Sequence, residues 1–160
     1  MNLLIIDDEA YVIDSIIQNV NWQETGISHA YTASTLEQAE ELMRNVPIQL
    51  LVCDIVMPGH SGFEVVEELK AQGYEFLVLF LTSYAEFEYA KRAISLNSFD
   101  YLLKPVDFAA LTEAIKKVKE KSEAMQGYKN YQAEWKNRKN KERILKEKFW
   151  KELLESPEEG

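Results

Sequence analysis

The sequence predicts an α/β fold built on an open parallel sheet, and three observations predict it. Short apolar runs alternate along the chain with amphipathic stretches, the pattern of successive β-α units. Four of the five runs are continuously apolar, as expected of strands covered on both faces by helices. Polar residues stand at the C-terminal ends of four runs: Asp7 and Asp8 after LLII, Asp54 after LLVC, Thr82 after LVLFL, and Lys104 after YLL. The ends of parallel strands share one edge of an open sheet, so these residues are expected to converge into one pocket.

Strands are predicted over 3–7, 28–33, 50–54, 77–82 and 99–103. Helices are predicted between them over 9–20, 36–45, 62–72 and 86–96, each with apolar residues at helical spacing, such as Val12, Ile16, Ile17 and Val20 in the first. Thr35 followed by Gln38 has the form of a capping box for the second helix. Gly26 and Gly73 stand where helices hand over to strands, and Asn97 holds the same place after the fourth helix. A fifth helix is expected to begin at Asp107 or Phe108, just after Pro105. From Asp107 to Leu154 there is no proline, and only Gly127 interrupts the pattern. With Val118 at heptad position a, the a and d sites read Val118, Lys121, Met125, Tyr128, Gln132, Trp135, Lys139, Glu142, Lys146, Phe149 and Leu153. Six of these eleven are apolar, a weak heptad signal that leaves open both a coiled coil and a solvated helix or partly frayed linker.

A chain of 160 residues holds one domain and an extension. Its 46% apolar and 11% aromatic content excludes intrinsic disorder. No apolar run approaches the roughly 20 residues of a membrane span. The N-terminal MNLLIIDDEA has too short an apolar stretch, followed by acids, to be a signal or transit peptide, so a cytoplasmic protein is expected. The single cysteine, Cys53, permits no internal disulfide and reads as a small core residue. The net charge of -9 hides a division: residues 1–111 carry 17 acids and 5 bases, whereas residues 112–160 carry 10 acids and 13 bases. So acidic a body lacks the clustered Lys and Arg that nucleic-acid phosphates require.

Adjacent carboxylates at a strand end repel unless a cation neutralises them, and Mg2+ suits oxygen ligands. Asp7, Asp8 and Asp54 supply such a set, although a DD pair followed by Glu9 also fits a helix N-terminal charge cluster. Asp54 opens DIVMPGHSG, where Pro58 and Gly62 are expected to enforce a tight loop. A carboxylate beside bound Mg2+ can act as a nucleophile toward a phosphoryl donor and form an aspartyl phosphate. Thr82 and Lys104 complete that chemistry with a hydroxyl and an ammonium for the phosphoryl oxygens.

DDE at 7–9, DIVMPGHSG at 54–62, LTSY at 81–84 and DYLLKP at 100–105 occur in the order and spacing of a known family. Over about residues 1–124 the chain resembles the receiver domain of two-component response regulators. The resemblance implies a flavodoxin-like (CheY-like) doubly wound sheet of five parallel strands, order 2-1-3-4-5, with an extended C-terminal helix. It implies that Asp54 is phosphorylated by a sensor histidine kinase and that Asp7, Asp8, Asp54 and the backbone carbonyl of Val56 hold Mg2+. It further implies that Thr82 and Lys104 contact the phosphoryl group, that Thr82 and Tyr101 form the switch, and that Lys104-Pro105 is a cis peptide. Asn97 departs from the glycine frequent at its position. FLTSYAEFEYAKRAISLNSFDYLLKPVD resembles regulators whose receiver precedes an AraC-type DNA-binding domain. Residues 125–160 then read as a helical linker, with DNA contacted only through a C-terminal domain absent from these 160 residues.

A homodimer is expected through the face of the fourth helix, fifth strand and fifth helix, which carries Glu86, Glu88, Lys91, Arg92, Asp100, Asp107 and Lys117. Val56 and Tyr84 supply no carboxamide to orient water, so slow self-dephosphorylation is expected. The module is thus expected to be a phosphoacceptor rather than an enzyme. A Mg2+-dependent phosphatase would need a second acid at Val56 and a cap domain. A flavin domain would need Ser, Thr or Gly where DDEAY stands. A protein-interaction module that no longer uses phosphate remains the alternative.

Overall fold

The computed structural model describes residues 1–83 and 98–155, without the side chains of 98, 99, 126, 129, 130, 139–142 and 144–155. The helix expected over 86–96, its cap at Asn97, Tyr84 and the face residues Glu86, Glu88, Lys91 and Arg92 lie outside the described residues. The chain forms two compact units, Met1–Glu120 and Lys121–Gly160.

In the first unit five parallel strands are ordered β2-β1-β3-β4-β5: β1 Asn2–Ile6, β2 His29–Ala33, β3 Leu50–Asp54, β4 Leu77–Thr82 and β5 Ser98–Leu103. The helices are α1 Ala10–Asn19, α2 Trp22–Thr25, α3 Leu36–Asn45, α4 Gly62–Ala71 and α5 Phe108–Glu155. Alternate strand residues point to opposite faces, and each face has its own core. Leu4, Ile6, Leu51, Cys53, Val78 and Phe80 pack with Ala39 and Met43 of α3 and Phe63, Val66 and Leu69 of α4. Leu3, Ile5, Leu50, Val52, Leu79 and Leu81 pack with Val12, Ile13 and Ile16 of α1 and Leu111, Ile115 and Val118 of α5. This two-sided burial explains why the central strands read as unbroken apolar runs. Phe63 and Phe80, both buried, meet edge to face at 4.9 Å, which ties α4 to the middle of the sheet.

The α2 turn was not expected from the sequence, because four residues are too few to show a period. Its logic is local: the Asn21 side chain accepts from Glu24 N at 3.2 Å, and Gly26, at φ 71°, closes it. Thr35 caps α3 by accepting from Gln38 N at 3.2 Å. The Gln38 side chain turns back one residue further than a capping box requires, accepting from Ser34 N at 2.8 Å and Ser34 Oγ at 3.0 Å. Cys53 is buried, as expected, and burial beside Asp54 and Asp7 raises its thiol pKa, keeping it protonated. No described helix is long and apolar enough to cross a membrane.

Candidate functional site

Register aligns the strand ends. Ile6 pairs with Cys53, Asp54 with Leu81, and Thr82 with Leu103, so the residues just beyond these pairs meet at one edge. Three backbone bonds carry the alignment into the loops: Asp7 N to Ala33 O at 3.1 Å, Ile55 N to Leu81 O at 2.9 Å, and Lys104 N to Thr82 O at 2.7 Å.

Asp7, one residue past β1, is fully buried. Its Oδ1 accepts from Glu9 N at 2.9 Å and its Oδ2 from Lys104 Nζ at 2.9 Å. Asp54, the last residue of β3, is 4% exposed. Its Oδ1 accepts from Val56 N at 3.4 Å, and its Oδ2 lies 3.1 Å from Lys104 Nζ. One ammonium therefore serves two buried carboxylates, while Asp8 stands exposed beside them. Burial pushes the Asp54 carboxyl up to about 6, with the charge of Asp7 adding to the effect and Lys104 opposing it. Burial likewise raises Asp7. For Lys104 burial works against the charge, but the hydrogen bond to Asp7 and the charges of Asp54 and Asp7 outweigh it, so its pKa is raised.

Carboxylate oxygens of Asp7, Asp8 and Asp54 all lie within 4.8 Å of one another. The donor set is entirely oxygen, and its negative charge exceeds what Lys104 supplies. That combination fits a hard divalent cation such as Mg2+.

Thr82 is fully buried at the end of β4, next along the sheet from Asp54. Val56 has its backbone N bonded to Asp54, and its side chain is half-exposed. Tyr101 lies within β5, level with Phe80 and away from the strand end, and is 38% exposed. The Lys104-Pro105 peptide is cis.

Two features were not legible in the sequence. Gly62 begins α4 and lies so close to β3 that an added Cβ would overlap the Asp54 carbonyl oxygen, coming within 3.0 Å of Ile55 Cα. Its expected part in the loop is therefore close approach, while Gly59, at φ 85°, makes the turn. Beside Lys104 a cavity of about 450 Å³ opens between α1 and the loop after β5, with Glu9, Tyr11, Ser83 and Phe108 among its walls. The Tyr11 phenol hydrogen-bonds the Glu9 carboxylate, which raises its pKa.

The family model of the response regulator receiver domain matches residues 3–116 of this chain. The chain belongs to that family. It is a receiver domain of a two-component system, and transcriptional regulators are among its relatives. It is 33% identical to the transcriptional regulatory protein HptR of Staphylococcus aureus over 109 residues, which are 68% of this chain and 42% of that one. It spans less than half the length of the curated relatives it matches. Among solved structures it is similar to the REC domain of AraT, a response regulator from Geobacillus stearothermophilus, with 34% identity and a TM-score of 0.67. That match covers 78% of this receiver's chain and 97% of the other. A two component transcriptional regulator AraC from Clostridium phytofermentans matches with 25% identity and a TM-score of 0.69, covering 80% of this chain and 98% of that one. Receiver domains are signalling modules that generally bind Mg2+ at an acidic pocket, the setting in which Asp7, Asp8 and Asp54 stand here.

Proposed function

We propose that this receiver accepts a phosphoryl group on Asp54 from a phosphohistidine of a sensor histidine kinase, and that the transfer depends on Mg2+. The observation that carries the reading is the shared ammonium: Lys104 Nζ reaches both Asp7 Oδ2 and Asp54 Oδ2 at the end of the sheet. An Asp54 Oδ attacks phosphorus and the O–P bond forms as the P–N bond breaks. The electron pair leaves on the imidazole nitrogen, which takes a proton from solvent. Asp7, Asp8, Asp54 and the Val56 carbonyl would hold the metal, which when bound neutralises charge on the transferring oxygens. Lys104 turns from the Asp54 carboxylate to the new phosphoryl oxygens, and the Thr82 hydroxyl donates to another.

A phosphoryl group brings about two negative charges and three acceptor oxygens. Thr82 moving toward it opens space that Tyr101, now partly exposed, fills by turning inward. That shift favours one of two pre-existing states and alters the face carrying Asp100, Asp107 and Lys117, through which two receivers pair. We assign the receiver to residues 1–124 and a linker to 125–160. The linker passes the change to a DNA-binding output domain of the longer protein, in the cytoplasm. The lengths of the curated relatives and the AraC and HptR likenesses support that assignment.

Intact-mass spectrometry after incubation with an acyl phosphate and Mg2+ tests the chemistry. One phosphoryl adduct that requires both Mg2+ and Asp54 is expected. A folded protein that takes up none would indicate a phosphate-independent interaction module.

A further inference from the structure

We infer that Glu9, on the wall of the cavity beside Lys104, selects among phosphoryl donors: it favours a donor whose leaving group is a flat ring bearing N–H and disfavours one that departs as a carboxylate anion. This selectivity rests on the acceptor reading proposed above and names the residue that tunes it. The cavity has the make-up of a ligand site. Its volume of about 450 Å³ falls within the roughly 300–1,000 Å³ of pockets that hold small molecules. Val12, Val106 and Phe108 give it an apolar lining, and Pro105 and Tyr11 add flat faces suited to a planar ring. Lys104 ties it to the acceptor, since the same residue that lines the cavity places its Nζ 3.1 Å from Asp54 Oδ2. Ser83, directly after Thr82, lines it too. A phosphoryl group delivered to Asp54 beside Lys104 therefore has this space next to it for the part of the donor that departs.

Charge gives the space its preference. Among the described residues the wall carries two charged side chains, Glu9 and Lys104. The Lys104 ammonium is shared between the carboxylates of Asp7 and Asp54, so the charge left for an entering group is that of Glu9. The Tyr11 phenol hydrogen-bonds the Glu9 carboxylate and so keeps it at the wall. The backbone of Glu9 has a separate task, its N donating to Asp7 Oδ1 at 2.9 Å, and its side chain makes no capping bond to α1. The carboxylate is therefore not spent on holding the helix end.

An N-phosphorylated imidazolium presents a flat ring whose second nitrogen carries N–H, which a carboxylate accepts. As Asp54 Oδ bonds to phosphorus the P–N bond breaks, the pair stays on the ring nitrogen, and neutral imidazole departs, to be protonated by solvent. An acyl phosphate undergoes the same attack, but its O–P bond breaks with the pair on a carboxylate oxygen, so an anion develops beside Glu9. Like charges at that range slow the step without preventing it.

The test measures initial rates of labelling by phosphoimidazole and by acetyl phosphate in Mg2+ buffer and takes their ratio within each protein, so that changes common to both donors cancel. Glu9→Gln should lower the ratio of phosphoimidazole to acetyl phosphate about tenfold, the effect of one charge at close range. Asp14→Asn, which removes a charge from the exposed side of α1 outside the cavity, should leave it unchanged. NMR in the same buffer gives a readout without phosphoryl transfer. At about pH 6, where the ring is mostly protonated, imidazole should shift the amides of Ser15 and Val106, acetate should not, and Glu9→Gln should lose the imidazole shifts. Labelling by both donors in a ratio that Glu9→Gln leaves unchanged, or imidazole that moves no cavity amide, would overturn the inference and leave the acceptor reading in place. A folded chain labelled by neither donor would overturn the acceptor reading, and this inference with it.

Discussion

Lys104 Nζ stands 3.1 Å from Asp54 Oδ2, and the same nitrogen stands 2.9 Å from Asp7 Oδ2. The lysine therefore occupies, in charge, part of the place the proposed divalent cation would take. Removing it leaves two buried carboxylates without a counter-charge, and breaking such a buried pair costs about 3 kcal/mol or more. Lys104→Ala should melt well below the parent in metal-free buffer, and Mg2+ should recover more of its stability than it adds to the parent. Thermal melts with and without Mg2+ check both statements. Equal stabilisation of the two proteins by Mg2+ would show that lysine and metal do not share one charge site.

A pH dependence follows from the Asp54 carboxyl, which titrates at about 6 in the fold against an ordinary 3.8. A raised carboxyl favours the fold fully below its unfolded pKa, near 4, and loses that preference as pH rises through about 6. Asp7 is raised in the same direction. Metal-free protein should therefore lose stability between about pH 4 and pH 6 from this pocket, and the Mg2+-induced rise in Tm should be larger at about pH 7.5 than at about pH 5. Scanning fluorimetry at the two pH values measures it. A Mg2+ effect independent of pH would place the binding elsewhere.

Gly62→Ala should disturb Asp54, the proposed acceptor, more than Gly59→Ala. The Gly62 Cβ would overlap the backbone of Asp54, which can yield only by moving the end of β3, whereas nothing lies within 4 Å of a Cβ on Gly59. Overpacking of this kind costs about 1–3 kcal/mol. The Gly59 change carries only the strain of a positive φ, about 1–2 kcal/mol. Urea unfolding compares the stabilities, and phosphoryl yield at saturating donor separates the roles: it should fall for Gly62→Ala and hold for Gly59→Ala.

Val56, half-exposed with its backbone N bonded to Asp54, would flank the phosphoryl group proposed on Asp54, and its side chain has nothing to orient water. The aspartyl phosphate should be long-lived in Mg2+ buffer. Val56→Asn supplies the missing carboxamide and should speed loss of label about several-fold, in the manner of a water-positioning side chain. Decay followed by mass spectrometry gives the rates, and identical decay of the two proteins would remove position 56 from that role.

Much of this was legible in the sequence because its signals are local. Unbroken apolar runs ending in Asp54 and Thr82 marked strands buried on both faces, and β3 and β4 span the expected residues. The first strand ends at Ile6, one residue short of expectation: Asp7 N still bonds Ala33 O, and its side chain turns to Glu9 N and Lys104. The α2 turn left no signal, since Asn21, Glu24 and Gly26 act through a single turn without a repeat. Tyr11 beside Glu9 read only as a residue of the first helix, because nothing in its spacing reports the cavity it borders.

By itself the sequence determined the parallel α/β class and the strand-end positions of Asp7, Asp54, Thr82 and Lys104, since these follow from periodicity along the chain. Only the tertiary structure decided that one lysine serves two buried carboxylates, that Gly62 lies against the backbone of Asp54, and that Met125, Tyr128 and Tyr131 are exposed. Those are distances and exposures between residues whose proximity is set by sheet order, register and helix packing, quantities that no local pattern encodes.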